Sequence, residues 1–165
     1  MSGECPEEKY VQDQNPDVPP TEIGGADDRS PSSRMLRVLV VDDTDDFRAL
    51  MRVVLERTGD FEVVAEAPDG QQGLEMARVV APDVVLLDIA MPVMDGLQAL
   101  PQIRGLCPDA AVVVLSGFSA SKMRLQAVAL GADGYLEKGQ PMRGLLNGLY
   151  RVVADLGLRT QASAS

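Results

Sequence analysis

Three short apolar runs, each closed by a polar residue, constrain this chain more than any other feature. Residues 38–41 (VLVV) stop at Asp42 and Asp43, residues 84–87 (VVLL), which follow Asp83 in the strand expected over 83–87, stop at Asp88, and residues 111–115 (AVVVL) stop at Ser116. Runs this short, rich in β-branched and aliphatic residues, suit strands buried on both faces rather than helices. Between them lie segments with helical spacing. Phe47, Leu50, Met51, Val54 and Leu55 follow a plausible N-cap at Thr44 or Asp45, and Asp69-Gly70 opens a second such pattern that Pro82 closes. The alternation predicts a parallel α/β sheet.

Taken in order from Met35, the pattern gives five strand–helix units. After the first, Gly59-Asp60 marks a turn and residues 61–65 read as a shorter second strand. The helix after Asp88 spans about 95–104, with Pro101 as a kink or an early terminator. A helix over 119–130 is stopped by Gly131. Residues 134–137 form a short fifth strand running into Lys138, and Pro141 begins a last helix to about 156. That helix carries Gly144 and Gly148, which weaken it. They either permit internal close packing or allow another subunit to approach, so a homodimer stays open.

Residues 1–34 hold five of the eleven prolines, several acids and almost no apolar periodicity, which predicts a disordered acidic tail. Either translation starts at Met35, or the segment is a flexible arm with a regulatory use. The folded body is expected over 35–156, followed by a short disordered tail over 157–165. That tail leaves no room for an output domain.

With 165 residues, one domain with a substantial core is expected. The formal charge of −10 argues against direct nucleic-acid binding, which needs a basic surface. The absence of histidine excludes Ser-His-Asp and Cys-His catalysis, histidine-ligated zinc and a phosphohistidine carrier role. Cys5 and Cys107 suggest neither a disulfide framework nor a metal cluster, and read as chance thiols in a reducing compartment. No apolar run approaches the ~20 residues that span a bilayer, and no signal segment leads the chain, so a cytoplasmic location is expected.

If the strands are parallel and adjacent, one sheet edge collects Asp42, Asp43, Asp88, Ser116 and Lys138. Three carboxylates in close company repel unless a cation neutralises them, and an all-oxygen set fits Mg²⁺. Lys138 adds a mobile charge for a phosphoryl oxygen and Ser116 a short hydroxyl donor. Singly, each residue also reads as a helix cap, turn residue or solvated loop residue. As a set at several strand ends, the residues point to positioning and neutralising a phosphoryl group.

Residues 36–156 resemble the receiver domain of two-component response regulators, the CheY-like superfamily. VLVVDD matches the acidic pair, LLDIAMPVMDG the phospho-acceptor segment, VVVLSG the hydroxyl position, and GADGYLEKG the switch aromatic and lysine. The resemblance implies a flavodoxin-like, doubly wound (βα)5 fold with strand order 2-1-3-4-5. It also implies that Asp88 accepts a phosphoryl group from a histidine kinase or phosphotransfer protein. Asp42, Asp43, Asp88 and the Ala90 backbone carbonyl would then hold Mg²⁺. Ser116 and Lys138 would contact the acyl phosphate, and Tyr135 would change rotamer as Ser116 moves inward. A phosphorylation-dependent change of surface would be read by a downstream protein target, with no membrane involved. Such a domain is not an enzyme on external substrates and assists only its own phosphorylation and dephosphorylation.

The chain departs from the family pattern at Gly117, where alanine is common, and at Gly139-Gln140, which separate Lys138 from Pro141. Ala90 and Phe118 are expected to flank the phosphoryl site with apolar groups and hinder an attacking water. The last third is most similar to receivers that usually precede a helix-turn-helix domain, so a truncated DNA-binding regulator stands beside the stand-alone receiver. A phosphorylation-independent binding module is disfavoured by the complete set of site residues. An aspartate-nucleophile phosphatase is disfavoured by Ala90, where that family carries a second acid.

Overall fold

The sheet is built from the apolar runs. The computed structural model describes residues 34–117 and 121–158. In it β1 (Leu36–Val41), β2 (Phe61–Ala67), β3 (Val84–Asp88), β4 (Ala111–Ser116) and β5 (Gly134–Glu137) pair in parallel, in the order β2-β1-β3-β4-β5. They alternate with α1 (Asp45–Glu56), α2 (Gly70–Val80), α3 (Gly96–Leu106), α4 (Ser121–Ala129) and α5 (Met142–Asp155). This is the doubly wound, flavodoxin-like architecture, whose ligand edge lies at the carboxyl ends of the strands. Of the tails expected at 1–34 and 157–165, residues 1–33 and 159–165 lie outside the described residues, as do Phe118 and the Ser119 helix start.

Because successive strand residues face opposite sides, β1 feeds two cores. Val38 and Val40 pack with Met51 and Leu55 of α1 and Leu145, Leu149 and Val153 of α5. Leu39 and Val41 pack with Leu74 and Ala77 of α2, Leu100 and Ile103 of α3, and Ala127 of α4. Every residue of β3 and β4 is buried, as strands covered on both faces require.

Two boundaries differ from the sequence reading for local reasons. β2 extends to Ala67 because its register with β1 slips between Val38↔Val63 and Leu39↔Ala65, leaving Val64 as an extra, bulged residue. The strand can therefore keep pairing beyond the point where its alternation breaks. Pro101 does not terminate α3, which runs on to Leu106. It sits on the exposed side of the helix, where water can satisfy the carbonyl that its missing N–H leaves unpaired. The N-caps at Asp69 and Asp95 each accept a backbone N–H, from Gln72 and Gln98, and Asp95 completes a reciprocal capping box.

The glycines of α5 serve packing inside the chain. A Cβ on Gly148 would lie 2.4 Å from Leu136 Cδ2, and one on Gly144 would lie 2.9 Å from Gln140 Oε1. Arg104 of α3 bonds the Gly131 and Ala110 carbonyls and pairs with Asp133, fixing the turn that leads into β5. At the opposite edge of the sheet from the acidic cluster, Tyr150 Oη donates to the buried Asp60 carboxylate at 2.7 Å, with its ring against Phe61. Tyr150→Phe removes that bond and is expected to lower unfolding stability by about 1–2 kcal/mol. A urea midpoint unchanged from wild type would show that Asp60's other contacts suffice.

Candidate functional site

Asp42, Asp43, Asp88, Ser116 and Lys138 each stand at or just past the carboxyl end of a strand, whereas Tyr135 lies within β5 and Ala90 in the loop after β3. Asp42 follows β1 and is fully buried; Asp88 ends β3 at 3 % exposure; Ser116 ends β4 and is buried. Lys138 follows β5, and its backbone N–H donates to the Ser116 carbonyl at 2.8 Å, so the last two strand ends are tied together. Asp43 is exposed. One carboxylate oxygen from each of Asp42, Asp43 and Asp88 lies within 4.8 Å of the others.

The charges within this cluster are unevenly matched. Asp42 Oδ1 accepts the Thr44 backbone N–H at 2.9 Å, and Thr44 is an N-cap without a side-chain cap bond. Asp42 Oδ2 is buried and receives no hydrogen bond of good direction, although the Lys138 ammonium lies 2.5 Å away as an ion-pair contact. The same ammonium is 3.2 Å from Asp88 Oδ2. One lysine therefore serves two carboxylates, with a third beside them. Burial pushes the Asp88 carboxyl above the usual range and the Asp42 charge adds to this, while Lys138 and the Ala90 backbone N–H oppose it. A buried oxygen lacking a directed partner, in a three-carboxylate set without nitrogen or sulfur donors, fits a hard divalent cation such as Mg²⁺.

The loop after β3 is held tightly. Gly96 N–H donates to the Ile89 carbonyl at 2.9 Å, and Gly70 N–H to the Met94 carbonyl at 3.0 Å. Between these anchors Val93 takes φ +66° while 85 % exposed. A β-branched residue there carries strain on the order of 1–2 kcal/mol, which the anchors offset. Among the described residues nothing lies within 4 Å of where a Gly117 Cβ would stand, so none of them requires glycine there. Tyr135 is half-buried against the α3/α4 core.

Residue patterns alone missed two contributors. Phe47 counted only as a core-spaced residue of α1, yet the Lys138 ammonium lies 4.7 Å from its ring centroid. Arg48 bonds the Asp42 carbonyl and pairs with Asp45, bracing the end of β1. Nothing in the sequence joined the first to Lys138 before the chain was folded, and nothing distinguished the second from other helix arginines.

The sequence model of the response regulator receiver domain family matches residues 38–149. Among curated proteins, the chain is 40 % identical over 104 residues to the chemotaxis protein CheY of Listeria monocytogenes, covering 63 % of this chain and 87 % of that protein. It is 36 % identical over 137 residues to a protein-glutamate methylesterase/protein-glutamine glutaminase of Maricaulis maris, covering 82 % of this chain but only 34 % of the relative. The chain thus spans about a third of that longer protein. Among solved structures, the receiver domain of a NarL response regulator from Mycobacterium tuberculosis superposes with a TM-score of 0.65 at 34 % identity, covering 74 % of this chain and 95 % of that one. Five parallel strands in the order 2-1-3-4-5, acids and a lysine gathered at their carboxyl ends, and a family match across nearly all the elements lead to one assignment: the chain belongs to the receiver domain family of two-component response regulators.

Proposed function

We propose that this receiver takes a phosphoryl group on Asp88, with Asp42, Asp43, Asp88 and the Ala90 carbonyl as the Mg²⁺ ligands. The reading rests above all on Asp88, a buried carboxylate within reach of two other acids and 3.2 Å from Lys138. An Asp88 oxygen forms the new P–O bond as the donor's P–N or P–O bond breaks, and the donor keeps that bond's electron pair. Bound Mg²⁺ neutralises the carboxylates and the phosphoryl oxygens so that the two anions can approach. Lys138 transfers its attention from the carboxylates to a phosphoryl oxygen, and the Ser116 hydroxyl donates to another. These contacts draw the β4–α4 and β5–α5 loops inward, with Tyr135 following Ser116, and so bias the surface that a partner reads.

The donor is a histidine kinase or phosphotransfer protein and the reader a downstream protein in the cytoplasm; the domain catalyses only its own phosphorylation and hydrolysis. Among the described residues no helix is long and apolar enough to cross a membrane. The test is incubation with Mg²⁺ and acetyl phosphate, read by intact mass beside Asp88→Asn. Wild type is expected to gain one phosphoryl mass that the variant and a chelated sample lack. A gain in Asp88→Asn, or none in folded wild type, sinks the proposal.

Ala90 is exposed two residues past the acceptor, where its methyl hinders an attacking water. Ala90→Asn supplies an amide that can hold such a water and is expected to shorten the phosphoryl lifetime several-fold, about two- to tenfold. An unchanged decay rate removes that role. A second reading, the receiver portion of a longer regulator, is supported by the 54 % span of the NarL protein of Escherichia coli. The size of the native protein on an immunoblot separates the two.

A further inference from the structure

Lys138 is held from three sides. Two are the Asp42 and Asp88 carboxylates; the third is the face of Phe47, 4.7 Å from the ammonium. The Lys138 backbone is tied to the Ser116 carbonyl by its N–H at 2.8 Å, but that bond does not aim the side chain. Lys138 is followed by Gly139, around which there is open space, and a lysine stem has four rotatable bonds. Phe47, by contrast, is fixed. It lies in the first turn of α1, where its N–H donates to the Thr44 carbonyl at 3.1 Å, and its ring packs on the core formed by Val38, Val40 and Met51. The Lys138 side chain is only 20 % exposed, so its attraction to the ring is less screened than at an open surface.

We propose that Phe47 is a positioning residue whose ring is the platform that keeps the Lys138 ammonium over the acidic cluster. This rests on the phospho-acceptor reading of that cluster. The ion pairs to Asp42 and Asp88 weaken once those carboxylates engage a cation or carry a phosphoryl group. The pull of the ring depends on neither event. It therefore holds the ammonium within reach of an incoming phosphoryl oxygen during the exchange, when the carboxylates no longer can. An aliphatic residue of similar size would fill the same space without attracting the charge.

The test compares Phe47→Leu, which keeps the apolar packing, with Phe47→Tyr, which restores the ring. Phosphoryl uptake from acetyl phosphate is read by intact mass, and the Lys138 ε-methylene resonance by NMR, since protons over a ring face are shielded. Phe47→Leu is expected to slow uptake about three- to tenfold and to move that resonance downfield. Phe47→Tyr is expected to stay within about twofold of wild type with the shielding retained. An unchanged rate or an unmoved resonance in Phe47→Leu overturns the proposal, and so does a Phe47→Tyr variant as slow as Phe47→Leu. If wild type takes up no phosphoryl group, the phospho-acceptor reading fails. The resonance then decides the platform: shielding lost only in Phe47→Leu upholds it, and identical shifts reject it.

Discussion

Gly96→Ala is expected to lower unfolding stability by about 3 kcal/mol and the melting temperature by on the order of 10 °C. A Cβ at position 96 would fall 2.0 Å from the Asp88 carbonyl oxygen, 2.9 Å from its carbonyl carbon and 3.0 Å from Ile89 Cα. All three are backbone atoms at the end of a buried central strand, so no rotamer change relieves the clash. Alanine has the higher helix propensity and Gly96 is the first residue of α3, which favours the variant by at most about 1 kcal/mol. The steric penalty exceeds that gain. Relief requires the end of β3 to shift, which carries the Asp88 carboxylate away from Lys138, so phosphoryl uptake should fall further than the loss of folded protein explains. Gly117→Ala is the control, because among the described residues nothing stands within 4 Å of its Cβ position. It should melt within a degree or two of wild type, about 0.5 kcal/mol or less. Equal melting temperatures for Gly96→Ala and wild type would mean that the loop after β3 yields more easily than its hydrogen bonds suggest.

What could be read from the sequence follows from which forces are local. β1, β3 and β4 were legible because central parallel strands must be apolar on both faces, a demand that leaves no polar alternation to confuse with a helix. Asp42, Asp88, Ser116 and Lys138 were legible as a set because strand ends in such a sheet share an edge. The end of β2 was not, since the bulge at Val64 depends on pairing with β1. The passage of α3 through Pro101 depends on which side of the helix meets water, something the periodicity around a proline does not settle. In α4 the pattern misleads more deeply. Leu125 and Val128 look like core residues by type but are exposed, and among its described residues Ala127 alone is buried. The contact between Phe47 and Lys138 joins α1 to the end of β5 and has no signature short of the folded geometry.

The second large effect concerns the charge on Asp88. In chelator at pH 7, Asp88→Asn is expected to stabilise the protein by on the order of 1 kcal/mol. Burial chiefly, and the Asp42 charge next, raise the Asp88 carboxyl above its ordinary value, against the pull of Lys138 and the Ala90 N–H. A carboxyl raised in the folded state is favoured there with its proton on. Its ionised form therefore costs stability at neutral pH, and that cost disappears as pH falls through the folded value toward the unfolded one near 3.8. The amide removes the cost, and Lys138 keeps Asp42 as its partner at 2.5 Å, so no buried charge is orphaned. The gap between variant and wild type should be widest near pH 7 and close as the buffer approaches pH 4. Mg²⁺ should reverse the order. A cation that binds only the folded wild type adds about 2.7 kcal/mol at a hundredfold excess over its dissociation constant, whereas the variant, one carboxylate short, gains far less. Thermal melts of both proteins, with chelator and with Mg²⁺, across pH 4 to 7.5 read every part of this. A wild type more stable than Asp88→Asn in chelator at pH 7 would mean that the Lys138 ion pair outweighs burial, and that Asp88 rests as a satisfied anion rather than a strained one.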